Sequence, residues 1–156
     1  MIYAASISTD KGTTEANAVR TVLKVTAGLI WRIEVEFPPG CCGLAHCQIF
    51  DGKYQMFPAS PEETFHSDGV LIGLDDLYLK TSGPFEFIIK TWNLDETWPH
   101  EIQVRVCMAS AEAFMSRYMP SLTWEKMNET LTQALADQDK IKAAQLTQIQ
   151  SDLEDI

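Results

Sequence analysis

The sequence predicts a mainly β protein, an antiparallel β-sandwich or jelly roll that carries a long C-terminal α-helix. Apolar and polar residues alternate with a period of two over much of residues 1–108, which is the pattern of half-buried strands. Proline- and glycine-rich turns separate these runs, and no helical segment among them is long enough for a βαβ crossover. Residues 122–156 then contain no glycine or proline, which favours a helix.

The strands can be placed one by one. The clearest alternation occupies 29–37, where apolar residues alternate with charged ones. The segment 18–26 precedes it, and Ala27-Gly28 between the two predicts a hairpin or a corner. Asp51-Gly52 predicts a tight hairpin turn between its flanking runs because this dipeptide readily takes positive φ values. The other predicted strands are 2–8, 44–50, 54–57, 69–74, 77–80, 84–92 and 101–108.

The composition changes after residue 108. Residues 109–120 are expected to form a short helix or connector that stops at Pro120, and 121–156 to form the helix, with Ser121 as its N-cap. Apolar residues at steps of three and four predict two stretches of heptad seam in this helix. So narrow a stripe must be covered by the sandwich or by copies of itself. The predicted assembly residues are Trp124, Met127, Leu131, Ile141, Leu146, Ile149 and Leu153.

The charge balance limits the partners that the protein is expected to have. Twelve Lys and Arg residues stand against 22 Asp and Glu residues, for a net charge of -10. Such a surface repels phosphate backbones and anionic membranes. No apolar run is long enough to span a bilayer, and no signal peptide is evident at the start. We therefore expect a cytoplasmic protein whose cysteines, Cys41, Cys42, Cys47 and Cys107, are reduced thiols.

Two groups of residues contain potential metal ligands, but a structural role is a simpler interpretation of both than a metal site. The segment 41–47 contains three cysteines and His46, but His46 and Cys47 should point to opposite faces of a strand. Small-residue packing is the preferred interpretation there, with metal or redox use as alternatives. A cupin-like enzyme would need His46, His66 and His100 together, and no two of them have that family's spacing of two residues. No metal and no cofactor is therefore predicted.

The polar segment 91–100 is the candidate contact loop. It lies between two strong strands and contains Trp92, Asp95, Trp98 and His100. In the structural interpretation the two tryptophans cap the end of the sandwich while the acids stay solvated. The alternatives are an aromatic anchor for a neighbouring subunit and a site for a sugar or calcium, since sugars stack on aromatic rings and acidic loops hold calcium.

No motif indicates an enzyme. The sequence contains no nucleophile elbow, no Walker glycine loop and no dinucleotide fingerprint, and the acid pairs Glu62-Glu63 and Asp75-Asp76 lie in turn-like regions that usually face solvent. The architecture resembles that of small jelly-roll proteins of virus particles, such as capsid-decorating, vertex or tail-associated subunits. That resemblance implies a homo-oligomeric structural protein with other structural proteins as partners. The alternatives are a carbohydrate-binding sandwich that uses Trp92, Asp95 and Trp98, with the helix as a multimerising stalk, and a metal-dependent jelly-roll enzyme.

Overall fold

The structure, a computed structural model, describes residues 1–118 and 124–154. Within these residues, nine strands and a short 3-10 turn precede two helices. The side chains at 111, 115, 118, 124, 125, 127 and 145–154 lie outside this description. The strands are β1 (Ile2–Thr9), β2 (Val19–Lys24), β3 (Gly28–Glu36), β4 (Ala45–Asp51), β5 (Tyr54–Phe57), β6 (Phe65–His66), β7 (Leu71–Lys80), β8 (Glu86–Asn93) and β9 (His100–Ala109). The helices are α1 (Ala111–Tyr118) and α2 (Trp124–Glu154), and the 3-10 turn spans Glu15–Asn17.

The strands form two antiparallel sheets in jelly-roll order. Sheet A runs β1-β9-β3-β7, and sheet B runs β2-β8-β4-β5, with β6 pairing with β4 beside β5. The chain thus pairs β1 with β9, β2 with β8, β3 with β7 and β4 with β5, as in one long hairpin rolled up on itself. The predicted antiparallel sandwich with a C-terminal helix is confirmed.

Three details of the strands differ from the prediction. A register shift against β9 between Ile30 and Arg32 leaves one extra residue, Trp31, in β3, so Ile30 lies in the core and Trp31 is only half-buried. The runs predicted as 69–74 and 77–80 are one continuous strand, β7. The two-residue strand β6 was not predicted, because two residues are too few to show a period.

The core fills the space between the sheets. Its members are the inward-facing apolar side chains, among them Ile30, Ile33, Val35, Phe37, Cys47, Ile49, Phe87, Ile89, Val104 and Val106. Asp51-Gly52 closes the predicted hairpin between β4 and β5, with Gly52 at a φ of +63°. At Gly28, where the chain passes from sheet B to sheet A, a Cβ atom would lie 2.8 Å from the carbonyl oxygen of Ala109. Only glycine fits there without a shift of β3 away from β9.

Four loops meet at one end of the sandwich, which we call the acidic end: 10–18, 37–44, 58–70 (which includes β6) and 94–99. Backbone hydrogen bonds join them in series. The N–H of Gly12 donates to the carbonyl of Asp95 (2.7 Å), that of Leu94 to Leu44 (2.9 Å), and that of Gly69 to Pro38 (3.2 Å). The shorter connections 25–27, 52–53 and 81–85 lie at the opposite end.

Residues 111–156 form a second compact unit. Among the side chains of α2 that the structure describes, the half-buried ones are spaced by four, three and four residues: Leu131, Leu135, Gln138 and Lys142. Of the predicted assembly residues on this helix, Leu131 is half-buried and Ile141 is 54 % exposed in the single chain. The other predicted seam side chains, Trp124, Met127, Leu146, Ile149 and Leu153, lie outside the described residues. Neither helix, in the part described, is long and apolar enough to cross a membrane.

Candidate interaction surface at the acidic end

Asp95 organises the connection between β8 and β9. Its Oδ1 accepts hydrogen bonds from the backbone N–H groups of Thr97 (2.7 Å) and Trp98 (3.2 Å), and its Oδ2 lies 2.9 Å from Nε2 of His100. The N–H of Thr97, followed by His100, holds the pKa of the Asp95 carboxyl below its ordinary value. Both carboxylate oxygens therefore serve to fix the loop itself.

The side chain of Asn93, the last residue of β8, also bonds to this loop. This side chain is fully buried, its Oδ1 accepts from the N–H of Asp95 (3.0 Å), and its Nδ2 donates to the carbonyl of Trp98 (2.8 Å). Within the described residues, every buried side-chain nitrogen or oxygen has a hydrogen-bond partner. The loop is thus held in one conformation by buried polar groups, whose loss would leave unpaired donors and acceptors.

Trp98 projects from this fixed loop with 66 % of its surface exposed. Two further apolar side chains, Leu44 and Leu94, are 39 % and 44 % exposed, and the backbone hydrogen bond between these leucines places them on adjoining loops. An aromatic ring on a rigid loop loses little conformational entropy when a partner covers it. These three residues form the candidate interaction surface.

Of the predicted contact residues, Trp92, Asp95 and His100 do not offer their side chains to a partner. Trp92 is only 4 % exposed, and its ring stacks on His46 with 5.2 Å between centroids and 6° between planes. His100 is 8 % exposed and is paired with Asp95. The loop therefore combines an internal framework with a single presented ring, that of Trp98.

The structure brings two of the three histidines together. His46 and His66 lie opposite each other on β4 and β6 with 5.2 Å between ring centroids, and the Thr64 hydroxyl lies 2.9 Å from Nδ1 of His46. Burial, and then the neighbouring His66, lowers the pKa of His46. His100 belongs instead to the Asp95 loop. Among the described residues, no three His, Cys, Asp or Glu side chains could hold a metal ion.

The cysteines of 41–47 occupy separate environments. Cys41 is buried, and its thiol donates to the carbonyls of Pro38 and Ser67, whereas Cys42 is exposed. Cys47 lies in the core, where complete burial raises its pKa to about 12. Its neighbour His46 lies on the other face of β4, as predicted.

The acidic end carries a net negative charge. Its four loops contain seven carboxylates and one lysine, namely Asp10, Glu15, Glu62, Glu63, Asp68, Asp95 and Glu96 against Lys11. The candidate surface thus lies in a negative field. Leu44 and Leu94 are not among the contact residues predicted from the sequence, although a leucine inside a polar turn such as 93–97 is a signal of an exposed apolar group.

No family model matches this sequence, and no curated protein matches it either.

Proposed function

We propose that this protein is a non-enzymatic assembly subunit that docks onto another protein through Trp98 at its acidic end. The observation that carries this proposal is the 66 % exposure of Trp98 on a loop fixed by Asn93 and Asp95. Tryptophan is among the residues that contribute most to protein interfaces, especially where neighbouring apolar groups exclude water around it. Leu94 is an exposed apolar residue of the same loop as Trp98, and Leu44 is one of the adjoining loop.

The charge of the acidic end indicates the chemistry of the partner. Glu96 belongs to the same loop as Trp98, and Asp10 belongs to the 10–18 loop, which is hydrogen-bonded to it. A complementary partner presents lysines or arginines around an apolar pocket that receives the indole ring. Steering by opposite charge speeds such an encounter and makes it sensitive to salt.

A larger particle, such as a virion, is the assembly that we propose for this subunit. Jelly rolls form capsid proteins and lectins alike, so the strand order supports the architecture and leaves the role to specific surfaces. Helix α2 is a second proposed contact, between copies of the chain. The 54 % exposure of Ile141 on that helix supports it, because an exposed isoleucine can pack against another helix.

The docking proposal is tested with an array of synthetic peptides that are rich in lysine and arginine and contain one phenylalanine or leucine. Acidic and neutral peptides of the same length serve as negative probes. The chain is used as wild type, as Trp98→Ala and as the matched control Phe85→Ala. Phe85 is 42 % exposed and lies in the 81–85 connection at the opposite end.

We expect the wild type and Phe85→Ala to bind basic peptides equally, and Trp98→Ala to bind at least about tenfold more weakly. Affinity should fall as salt rises. Trp98→Ala should change the free energy of unfolding by less than about 0.5 kcal/mol, because its side chain is exposed. Equal binding by both variants, or no preference for basic peptides, would contradict the proposal.

A carbohydrate ligand is the alternative that the exposed indole ring of Trp98 favours, because sugar rings stack on aromatic faces. Of the residues predicted for such a site, however, Asp95 bonds to its own loop and Trp92 is buried. Glycan-array binding that Trp98→Ala abolishes and Phe85→Ala retains would replace the protein partner by a sugar.

A further inference from the structure

Strand β1 forms one edge of sheet A, and among the strands of the sandwich none pairs with its outer side. It runs for eight residues from Ile2 to Thr9 and contains no charged residue and no proline. Its register with β9 is continuous from Ile2↔Cys107 to Thr9↔His100, so no bulge twists it away. Exposed edges of this kind pair readily with another strand.

The hydrogen bonds at the start of β1 show which backbone groups remain open. The N–H of Met1 donates to the carbonyl of Met108 (2.5 Å), and the N–H of Met108 donates to the carbonyl of Met1 (2.7 Å). In an antiparallel pair such doubly bonded positions alternate along the strand. The odd-numbered residues of β1 therefore bond to β9, and the backbone groups of the even-numbered residues point away from the sheet. These open positions are Ile2, Ala4, Ser6 and Ser8, and all four side chains are exposed.

The other sheet edges carry features that prevent pairing. Strand β7 carries two charged residues, Asp75 and Asp76, at the position where its pairing with β3 is irregular. Strand β2 carries Arg20 and Lys24, and β5 has only four residues. Charges, irregularities and short length are the usual protection of edge strands. Strand β1 has none of these.

We propose that β1 pairs with β1 of a second copy of this chain, antiparallel about a two-fold axis at Ala5. In this register Ile2 faces Ser8 of the second copy, and Ala4 faces Ser6 of the second copy. About eight backbone hydrogen bonds form, because each of the four facing pairs contributes two. The two four-stranded sheets become one continuous eight-stranded sheet with an isologous interface.

A second copy fits this edge for two reasons. The facing side chains are small or uncharged, so that no like charges meet across the junction. In addition, β1 ends at Thr9, next to the acidic end, and antiparallel pairing therefore places the two acidic ends at opposite ends of the dimer. This separation lowers the electrostatic repulsion between two chains that each have a net charge of -10. The interface shares no residue with the Trp98 surface and does not depend on the proposed function.

The test compares Ser6→Pro with Ser6→Ala by sedimentation equilibrium of the full chain over a range of concentrations. Proline at position 6 removes an N–H group that points to the open edge and breaks no bond to β9. We expect the wild type and Ser6→Ala to form dimers equally. Ser6→Pro loses one hydrogen bond on each side of the two-fold axis and should raise the dissociation constant at least about tenfold.

Hydrogen exchange of the wild type gives a second readout that does not depend on how the proline variant folds. The amides of Ala4, Ser6 and Ser8 should exchange more slowly as the concentration of protein rises, while those of Ala5 and Ile7 stay protected throughout. A wild type that is monomeric at every concentration overturns the proposal. So does a dimer in which the amides of Ala4, Ser6 and Ser8 exchange as fast as in dilute solution, which would indicate association through another surface such as α2.

Discussion

Lys80 and Asp51 join the two sheets at the end of the sandwich opposite the acidic end. Lys80 on β7 places Nζ 2.5 Å from Oδ1 of Asp51 on β4, and the hydroxyl of Tyr78 donates to Oδ2 of Asp51 (2.7 Å). The side chains of Lys80 and Asp51 are 2 % and 7 % exposed, so solvent screens this ion pair little. Lys80 also lies over the ring of Phe87, 5.7 Å from its centroid.

Replacing Asp51 by alanine should lower the free energy of unfolding by about 3–5 kcal/mol, because it leaves the buried ammonium group of Lys80 without its carboxylate. For a chain of this size that loss corresponds to a fall in Tm of about 6–20 °C. Urea unfolding followed by tryptophan fluorescence and by circular dichroism measures the free energy, and calorimetry measures Tm.

The double variant Asp51→Leu with Lys80→Met removes both charges and should recover most of the loss, since an apolar pair of similar volume replaces a buried ion pair well. Lys140→Ala is the surface control. Lys140 pairs with Asp137 but is 75 % exposed, and its loss should change stability by less than about 0.5 kcal/mol. A free energy of unfolding for Asp51→Ala within about 1 kcal/mol of the wild type would contradict this role of the ion pair. So would a double variant that is as unstable as the single one.

Two further predictions concern the thiols and the Asp95 loop. Cys42 should supply the single thiol that reacts fast with Ellman's reagent in the folded protein, because it is exposed. Burial raises the pKa of the other three thiols, those of Cys41, Cys47 and Cys107. Cys42→Ser should therefore abolish the fast phase, and a second fast-reacting thiol would contradict this prediction. The folded-state pKa of Asp95 lies below its ordinary value of 3.8, so its stabilising contribution is complete above that value and is lost as pH falls through the folded-state pKa. The stability difference between the wild type and Asp95→Asn should therefore shrink from about pH 5 to about pH 2 in urea titrations, and a constant difference would refute the assigned role.

The two tryptophans of the 91–100 segment show why the sequence could not locate the contact surface fully. Trp92 and Trp98 flank the same polar turn, and local pattern treats them alike. The ring of Trp92 is covered by His46, its direct register partner on β4, whereas Trp98 lies in the connection between β8 and β9 and has no strand partner. Which of the two is buried depends on a partner far away in the sequence. The pairing of Leu44 with Leu94 is long-range in the same way.

The sequence by itself determined the features that depend on neighbouring residues. Alternation along 101–108, the Asp51-Gly52 turn and the absence of glycine and proline from 122–156 predicted a strand, a hairpin and a helix, because backbone conformation and the period of burial are local properties. Tertiary structure decided which strands pair, that Lys80 is buried against Asp51, and that β1 is an open edge. Those outcomes depend on groups that meet only when the hairpin has rolled up, and no local pattern contains them.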